Sequence, residues 1–450
     1  MNAHALTHEK PAPGALVRWT VLVLISFAMM GNYYIYDSIS PLADVLISQL
    51  GFGKSDIGLL QSIYSFPNII MVFLGGIIID RIGTRKSVLL FTTFVMMGAV
   101  VTALQGNVWT MAAGRLIFGL GAESMIVAIT TVIARWFKGK ELSLAFGLNL
   151  TVARLGSFLA LNSPSWGKSL YSYWQSPLLV TVAAGVFAVI SIGAFYILDA
   201  RAYKKYSMPQ DGAQDKIVFS EMFKFGAAFW FISALCVTFY SAMFPFQTFA
   251  VTFFQDAHGT SREVGGLLSS LLTLAAMIFT PLFGLMSDKI GKGRAIMMMF
   301  GSLLIIPVYL MMAYQFGKPD VLTSGDFIHL NLEFFGLVGD LPIYLLPPML
   351  MMGIAFSLVP AVMWPFVSLV VPSQKLGTAY GLMTMIQNIG LFGFNLIIGF
   401  TNDSFGAGAG NPQGYTPGMW IFTSLGFFGL VFALLLSRYE KKAVEKQAGS

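Results

Sequence analysis

The second long apolar run of the chain is followed by Gly76-Ile-Ile-Ile-Asp80-Arg81-Ile-Gly83-Thr-Arg85-Lys86, and the eighth by Gly284-Leu-Met-Ser-Asp288-Lys289-Ile-Gly291-Lys-Gly-Arg294. The spacing from Gly to Asp, to a basic residue and to a second Gly is the same in both. One pattern at the same place in two halves indicates two duplicated bundles related by an axis along the membrane normal. An Asp beside a basic residue at a helix end can pair with the helix terminus of a neighbouring bundle. The two loops therefore predict a gating latch whose charged residues are Asp80, Arg81, Arg85, Asp288 and Arg294.

The composition excludes an ordinary water-soluble enzyme. Of the 450 residues, 56% are hydrophobic and only 11% are charged, whereas a soluble domain carries charge on about 25% of its positions. Twelve apolar runs are close to the roughly 20 residues that cross a bilayer, and they cover 17–46, 56–79, 87–105, 108–134, 141–163, 175–198, 227–255, 263–287, 295–314, 341–370, 376–400 and 417–437. We expect an all-α integral membrane protein with twelve transmembrane helices in two pseudo-symmetric six-helix bundles.

The loops predict the orientation and the domain boundaries. Most of the 27 Lys and Arg residues lie in the tails or in loops after even-numbered spans, and the positive-inside rule places that side in the cytoplasm. The longest polar stretch follows the sixth span. We therefore expect an N-terminal bundle at 1–198, a cytoplasmic linker at 199–224 and a C-terminal bundle at 225–450. We expect the lipid bilayer to be the partner of the apolar surface. The sequence contains no basic run interleaved with aromatics, so we expect no nucleic-acid partner.

Two opposite charges are predicted to lie at the same depth in the membrane. Spans four and five form a hairpin that turns near Lys138, and Glu123 and Arg154 are each ~22–24 Å from that turn at ~1.5 Å per helical residue. Arg154 can bind a carboxylate with two parallel hydrogen bonds, and Glu123 can accept hydrogen bonds from an ammonium. The pair therefore indicates a site for a zwitterion. The alternative is a structural ion pair that neutralises both charges. Both interpretations can hold in turn if the ion pair is closed without substrate and is opened by substrate.

Other polar and aromatic side chains near the middle of spans are further candidates for substrate contact. Tyr36 and Asp37 belong to the first span and Tyr64 and Asn68 to the second, while Trp364 and Asn388 lie in spans ten and eleven. Tyrosine and tryptophan also form belts at the membrane interface, and the second-half residues can serve packing alone.

Arg115 in span four has two interpretations, since a charge at this depth needs a partner or a water-filled cavity. It can be a buried structural Arg that caps neighbouring carbonyls, and the alternative, a role in coupling transport to protons, is one that a family resemblance implies. Gly119 and its neighbours allow close helix packing around it.

The sequence lacks several chemical motifs that enzymes and nucleotide-binding proteins require. The sequence has no nucleotide-binding loop, no HExxH motif and no Ser-His or paired-carboxylate arrangement within a span. The four His residues lie outside the spans, and Cys236 is a small core residue. We expect no enzymatic activity, no cofactor and no metal site. The long connection at about 315–340 is expected either to pack over the outer face or to form an Ω-loop.

The repeated loop resembles the signature of the major facilitator superfamily, and the resemblance covers the whole chain. Three further stretches are similar to the lysosomal dipeptide transporter group of that superfamily: Gly114–Ser124, Trp136–Leu142 and Ala153–Ser157. This resemblance implies a uniporter of dipeptides, with a preference for those bearing a cationic residue. It also implies a homodimer with a glycosylated accessory subunit, and it makes Glu123 and Arg154 the intramembrane acid and base.

The resemblance fails in the sorting signals. No acidic di-leucine signal precedes the first span, and the two glycosylation sequons lie in or beside spans. We therefore expect a prokaryotic cytoplasmic (inner) membrane, with the lysosomal membrane and its accessory subunit as the alternative. The alternative function is a proton-coupled symporter of small organic anions, in which Arg115 and Arg154 bind the substrate carboxylate and Asp37 or Glu123 carries the proton.

Overall fold

The computed structural model describes residues 11, 13–137, 141–206, 225–290, 293–321, 323–332, 337–372 and 375–448, and only the backbone of 143, 288, 290, 332, 337 and 441–448. Within these residues, twelve helical segments are long and apolar enough to cross a membrane. The helices in chain order are α1 (Ala15–Asp37), α2 (Ala43–Leu50), α3 (Lys54–Ser62), α4 (Ser65–Ile82), α5 (Thr84–Leu104), α6 (Val108–Trp136), α7 (Leu142–Leu161), α8 (Ser163–Trp166), α9 (Gln175–Lys205), α10 (Ala227–His258), α11 (Arg262–Ile290), α12 (Arg294–Ala313), α13 (Leu346–Val370), α14 (Leu376–Ser404) and α15 (Thr416–Ala448). The four-residue α8 lies between the fifth and sixth of the twelve segments and belongs to neither. The expected all-α membrane fold is confirmed.

Helical packing repeats between the two halves of the chain. Numbered by span, the pairs 1–5, 1–6, 2–4, 3–4 and 3–6 pack together in the first half, and the equivalent pairs 7–11, 7–12, 8–10, 9–10 and 9–12 pack together in the second. Helices are the expected form because an unpaired backbone group in lipid costs several kcal/mol. The repeat of contacts gives the two six-helix bundles their pseudo-symmetry.

Glycine lets backbones approach within a bundle at two positions that matter for the site. Gly119 of α6 lies against the Tyr64 carbonyl, and Gly156 of α7 lies against the Met30 carbonyl of α1, so that a Cβ at either position would collide with backbone. Both glycines are within four residues of a charged residue in the membrane, Glu123 on α6 and Arg154 on α7. Close packing therefore fixes the position of each charge relative to α1 and α4.

The ends of the spans form two opposite faces of the molecule, which we call the Lys54 end and the Asp80 end. The Asp80 end contains an equivalent acidic contact in each half. Asp199 of α9 accepts hydrogen bonds from Arg135 Nη2 at 2.6 Å and from Trp136 Nε1 at 3.0 Å. Glu440 of α15 accepts hydrogen bonds from the first backbone N–H groups of α12, including Arg294 N at 2.9 Å and Ala295 N at 3.1 Å. Ion pairs between described residues at this end each lie within one bundle.

The sixth span continues into the segment that the sequence assigns to the linker. α9 ends only at Lys205, so Asp199 lies within the helix rather than in the linker. Asp199 is buried by its contacts with Arg135 and Trp136. Residues 207–224, the rest of the predicted linker, lie outside the described residues.

The long connection between spans nine and ten contains a β-hairpin rather than an Ω-loop. β1 (Phe327–Leu332) pairs antiparallel with β2 (Leu337–Pro342), in a register that places His329 opposite Asp340. Gly339 packs against Val264 at the start of α11, and Leu341 is buried. The hairpin therefore covers part of the Lys54 end, as one of the two expectations had it.

The two bundles are joined by charged contacts at the Lys54 end. Lys54 Nζ lies 2.9 Å from Asp256 Oδ2 and donates a hydrogen bond to the Tyr415 hydroxyl. Asp403 of α14 accepts hydrogen bonds from the first backbone N–H groups of α3, at 2.8 and 2.7 Å. Arg262 of α11 pairs with Asp44 of α2 at 2.6 Å. These contacts, which we call the Lys54-end lock, hold the two halves together at one face.

Candidate functional site

A central cavity of about 220 Å³ lies between the two bundles. The first half contributes residues from α1, α6 and α7 and from the turn before α4, and the second half contributes residues from α10, α13 and α14. Glu123 and Arg154 both line this cavity. The sequence places them at one depth, and the structure brings them to one site.

Glu123 and Arg154 do not form an ion pair with each other, because no nitrogen of Arg154 lies within 4.0 Å of a Glu123 oxygen. Each is half-buried, and neither makes a hydrogen bond or an ion pair with a described residue. The alternative of a closed structural pair is therefore wrong for this conformation. Since a half-buried charge without a partner is costly in a membrane, both groups remain available to a ligand.

Aromatic rings from both halves surround the Arg154 guanidinium. Its central carbon lies 5.4 Å from the ring centre of Tyr33 on α1 and 5.5 Å from that of Phe356 on α13. Rings at this distance attract the cation and leave its N–H groups free at their edges. Arg154 therefore contacts both bundles while its hydrogen-bond donors are unused by the described residues.

The remaining wall of the cavity is an aromatic network across the bundle interface. Tyr36 packs edge-on against Tyr64 at 4.8 Å and against Phe244 of the second half at 6.3 Å. Trp364 Nε1 donates a hydrogen bond to the Tyr240 hydroxyl at 3.0 Å. Tyr36, Tyr64 and Trp364 thus line the cavity, as they were expected to do if they contact substrate.

Three predicted contact residues do not line this cavity. Asp37 follows Tyr36 on a helix, where neighbouring side chains point about 100° apart, and it is buried outside the cavity wall. Asn388 is displaced in the same way from Gln387, which does line the cavity, and its Nδ2 donates to the Thr384 carbonyl at 3.0 Å. Asn68 is fully buried in α4. In this conformation they lie outside the cavity wall, and their assignment as substrate contacts stays a prediction.

Arg115 is a structural residue in this conformation. It is 1% exposed, and its guanidinium donates hydrogen bonds to the carbonyls of Leu60, Ile35 and Tyr36 at 3.1 to 3.3 Å and to Gln61 Oε1 at 2.7 Å. These acceptors lie where the first two spans break, at the end of α1 and the end of α3. Arg115 therefore supplies donors to carbonyls at the breaks, which is one of the two interpretations of the sequence.

Asp80, Arg81 and Arg85 of the first repeated loop make no ion pair with a described residue of the second bundle. Asp80 and Arg81 are exposed at the end of α4. Arg85 lies 4.0 Å from Asp199 and stacks over Tyr196 at 5.0 Å, both in its own bundle. The Asp288 side chain is not among the described ones. Arg294 is the first residue of α12, whose first backbone N–H groups donate hydrogen bonds to Glu440. The latch stays a prediction for a conformation closed at the Asp80 end.

A second cavity of about 470 Å³ adjoins the central one. Arg154, Tyr240 and Trp364 line both cavities, so the two meet at these residues. The second cavity continues between α7 and α11 to Gly147 and Gly284, which lie near the Asp80 end. The central site is therefore closed off by the Lys54-end lock and extends towards the opposite face.

Some cavity residues could not be found from the sequence. Phe356, whose ring packs on Arg154, lies in a continuous apolar run that gives it no distinguishing signal. Asn32 and Thr384 also line the central cavity, and their polarity within apolar runs is the signal that was available. No group of three His, Cys, Asp or Glu side chains in the described part of the chain is arranged to hold a metal.

Comparison with known proteins agrees with the fold. The profile of the Major Facilitator Superfamily matches residues 22–395. Lysosomal dipeptide transporter MFSD1 of Homo sapiens is 32% identical over 418 residues, covering 88% of this chain and 84% of that protein. The Mus musculus protein of the same name is 33% identical over 402 residues, covering 86% and 81%. The fold is similar to that of a bacterial homologue of the human lysosomal transporter Spinster, which was solved in an inward-facing, unoccupied conformation. The TM-score is 0.70 at 17% sequence identity, and the match covers 96% of this chain and 99% of that one.

Proposed function

Because the chain belongs to the major facilitator superfamily and is a membrane transporter of that family, we propose that its substrates are dipeptides and that it carries them by alternating access. The observation that carries the proposal is the arrangement of Glu123 and Arg154. They have opposite charges, line one cavity and have no ionic partner among the described residues. A dipeptide presents an ammonium and a carboxylate at its two ends, so one substrate satisfies both groups.

The roles of the two residues follow from their charges. Arg154 binds the substrate carboxylate in a bidentate manner with N–H groups that no described residue uses. Glu123 accepts hydrogen bonds from the substrate ammonium. Burial strengthens both interactions, since a cavity between bundles excludes much of the solvent that screens charges.

Alternating access is supported by the position of the site between the halves. Arg154 contacts Tyr33 in one bundle and Phe356 in the other. A ligand on Arg154 therefore affects how the bundles pack, and it promotes transport if it binds the occluded conformation more tightly than the open ones. We propose that rocking breaks the Lys54-end lock and closes the Asp80 end, where the latch residues Asp80 and Asp288 then contact the opposite bundle.

The finer assignments are also proposals. From the resemblance we propose uniport rather than proton coupling, and because the two glycosylation sequons lie in or beside spans we propose a prokaryotic cytoplasmic membrane. The uniport proposal is tested in liposomes by measuring uptake with and without an imposed pH gradient. Uniport predicts equal initial rates, whereas a rate that rises several-fold with an inward proton gradient favours the symporter.

The substrate proposal is tested by binding matched ligands to the purified protein. Ala-Ala is expected to raise the unfolding temperature, whereas N-acetyl-Ala-Ala, which lacks the ammonium, and Ala-Ala-amide, which lacks the carboxylate, are not. An organic-anion symporter would instead bind N-acetyl-Ala-Ala at least as well as Ala-Ala. That result would overturn the dipeptide proposal in favour of the alternative.

Variants of the two charged residues complete the test. Arg154→Met and Glu123→Gln are each expected to abolish Ala-Ala uptake while the protein remains folded and inserted. Ala183→Leu, an exposed position on α9 away from both cavities, is the control and should transport at the wild-type rate. Normal uptake by both charge variants would contradict the assigned site.

A further inference from the structure

The two cavities that meet at Arg154 differ in their chemistry. Glu123 lines only the central cavity, while the adjoining cavity has apolar walls that include Leu150, Ala276, Phe356 and Ala361. Among the described residues that line the adjoining cavity, Arg154 is the only charged one. A ligand bound across the pair thus has a charged region and an apolar region at fixed positions.

The central cavity is small for a substrate that carries a large side chain. At about 220 Å³ it is smaller than the roughly 300–1,000 Å³ of most ligand sites. The adjoining cavity adds about 470 Å³. A dipeptide backbone held between Glu123 and Arg154 therefore leaves a larger apolar space directly beside its carboxylate.

Charge fixes which side chain of the substrate enters that space. The carboxylate belongs to the C-terminal residue, and it is bound to Arg154, where the two cavities meet. The side chain on the same residue is then the one nearest the adjoining cavity. The positive charge of Arg154 disfavours a cationic side chain there, and the apolar walls favour a large apolar one.

We propose that the cavity lined by Arg154, Ala276, Phe356, Ala361 and Trp364 is a specificity pocket for the C-terminal side chain of the substrate, and that it selects large apolar or aromatic residues. The proposal rests on the proposed dipeptide function and adds to it a preference by position. Ala-Phe places its ring in this pocket, whereas Phe-Ala does not.

The test compares the affinities of Ala-Ala, Ala-Phe and Phe-Ala by competition against labelled Ala-Ala in liposomes. Burial of a Phe side chain contributes about 1.5–3 kcal/mol, so Ala-Phe should bind about tenfold or more tightly than Ala-Ala, and Phe-Ala should show no such gain. If wild-type protein binds no dipeptide, the proposed function fails. If it binds all three alike, the function stands and the pocket is disproved.

Variants that change the pocket volume separate a specificity pocket from an access path. Ala361→Leu fills the pocket, and the tenfold advantage of Ala-Phe over Ala-Ala should fall to about twofold or less, while Ala183→Leu should retain it. Leu150→Ala enlarges the pocket and should increase the preference for Ala-Trp over Ala-Phe, which keeps the test decisive if Ala361→Leu folds poorly. An equal loss of affinity for Ala-Ala and Ala-Phe in Ala361→Leu, with no change in Leu150→Ala, would show that the cavity is only an access path.

Discussion

At the scale of single residues, two arginines of the membrane-spanning helices have opposite environments. Arg115 donates four hydrogen bonds to groups at the breaks of the first two spans, whereas Arg154 contacts two rings and makes no hydrogen bond with a described residue. A buried group is stabilising when its hydrogen bonds are made and costly when they are not. Arg115 therefore contributes to stability and Arg154 does not.

This difference predicts opposite effects of the same substitution. Arg115→Met removes four hydrogen bonds from a charged group, each of which contributes about 1.5–3 kcal/mol, and it takes from the Leu60 carbonyl its Arg115 donor. We therefore expect the unfolding temperature in detergent to fall by about 5 °C or more. Arg154→Met should leave that temperature within about 2 °C of wild type. Arg115→Lys, which keeps the charge and loses the fork of donors, should lie between the two. Equal losses for Arg115→Met and Arg154→Met would refute the distinction.

The sequence could predict Glu123 and Arg154 as a pair because helical rise converts their distance from one turn into depth. It could not decide whether they bond to each other, since that depends on the separation of α6 and α7 at the cavity. It also placed Tyr36 with Asp37, although a helix directs neighbouring side chains about 100° apart and only Tyr36 lines the cavity. Phe356 gave no signal, because one more Phe in an apolar run is indistinguishable from a packing residue.

At the scale of elements, the predicted spans were found with breaks that hydropathy does not reveal. The first span is divided into α1 and α2, and the second into α3 and α4. The first break contains Ser38, Ser40 and Pro41, which mark it locally, whereas the second break consists of Ile63 and Tyr64 and gives no such signal. Carbonyls freed at both breaks accept hydrogen bonds from Arg115 of another helix. A long-range partner of this kind is invisible to a local pattern.

Close helix packing leads to a prediction for α7. A Cβ at position 156 would collide with the Met30 carbonyl of α1, whereas a Cβ at Gly193 of α9 meets nothing within 4 Å. Gly156→Ala should therefore lower the unfolding temperature, since α1 and α7 must separate. Gly193→Ala should leave it unchanged or raise it, because Ala favours a helix over Gly by up to about 1 kcal/mol. A Gly156→Ala protein as stable as the Gly193→Ala protein would contradict the packing of α1 against α7.

At the scale of the whole molecule, the charged contacts found between described residues of the two halves lie at one face. Lys54, Asp256 and Tyr415 form a closed set of hydrogen bonds across the bundle interface, and Asp403 caps α3 from the other half. The apolar core of the C-terminal half follows the same distribution, since it also includes residues of the first half near this face, such as Leu46 and Ile57. The conformation is therefore held chiefly from the Lys54 end.

If the lock holds this conformation, weakening it should populate the opposite one. Asp256→Asn together with Asp403→Asn removes two carboxylates, and a charged hydrogen bond contributes about 1.5–3 kcal/mol. That loss changes the ratio of two conformations by about tenfold or more. We expect the Lys54 end to open and the Asp80 end to close in the same molecules, because two rigid bundles that rock about a central site move in opposite senses at their two ends.

Distances between spin labels at each end of the molecule measure this coupling. The labels are attached in a Cys236→Ser background at exposed positions, one in each half. The pair at the Lys54 end is Ser169 with Gln413, and the pair at the Asp80 end is Arg201 with Arg438. In the double variant the first distance should lengthen and the second shorten, with matching populations. Asp340→Asn is the control, since this exposed carboxylate also lies at the Lys54 end but pairs with His329 inside one hairpin, and it should change neither distance. Opening of the Lys54 end without closure of the Asp80 end would show that the halves do not move as rigid bodies, and unchanged distances would show that the lock does not set the conformation.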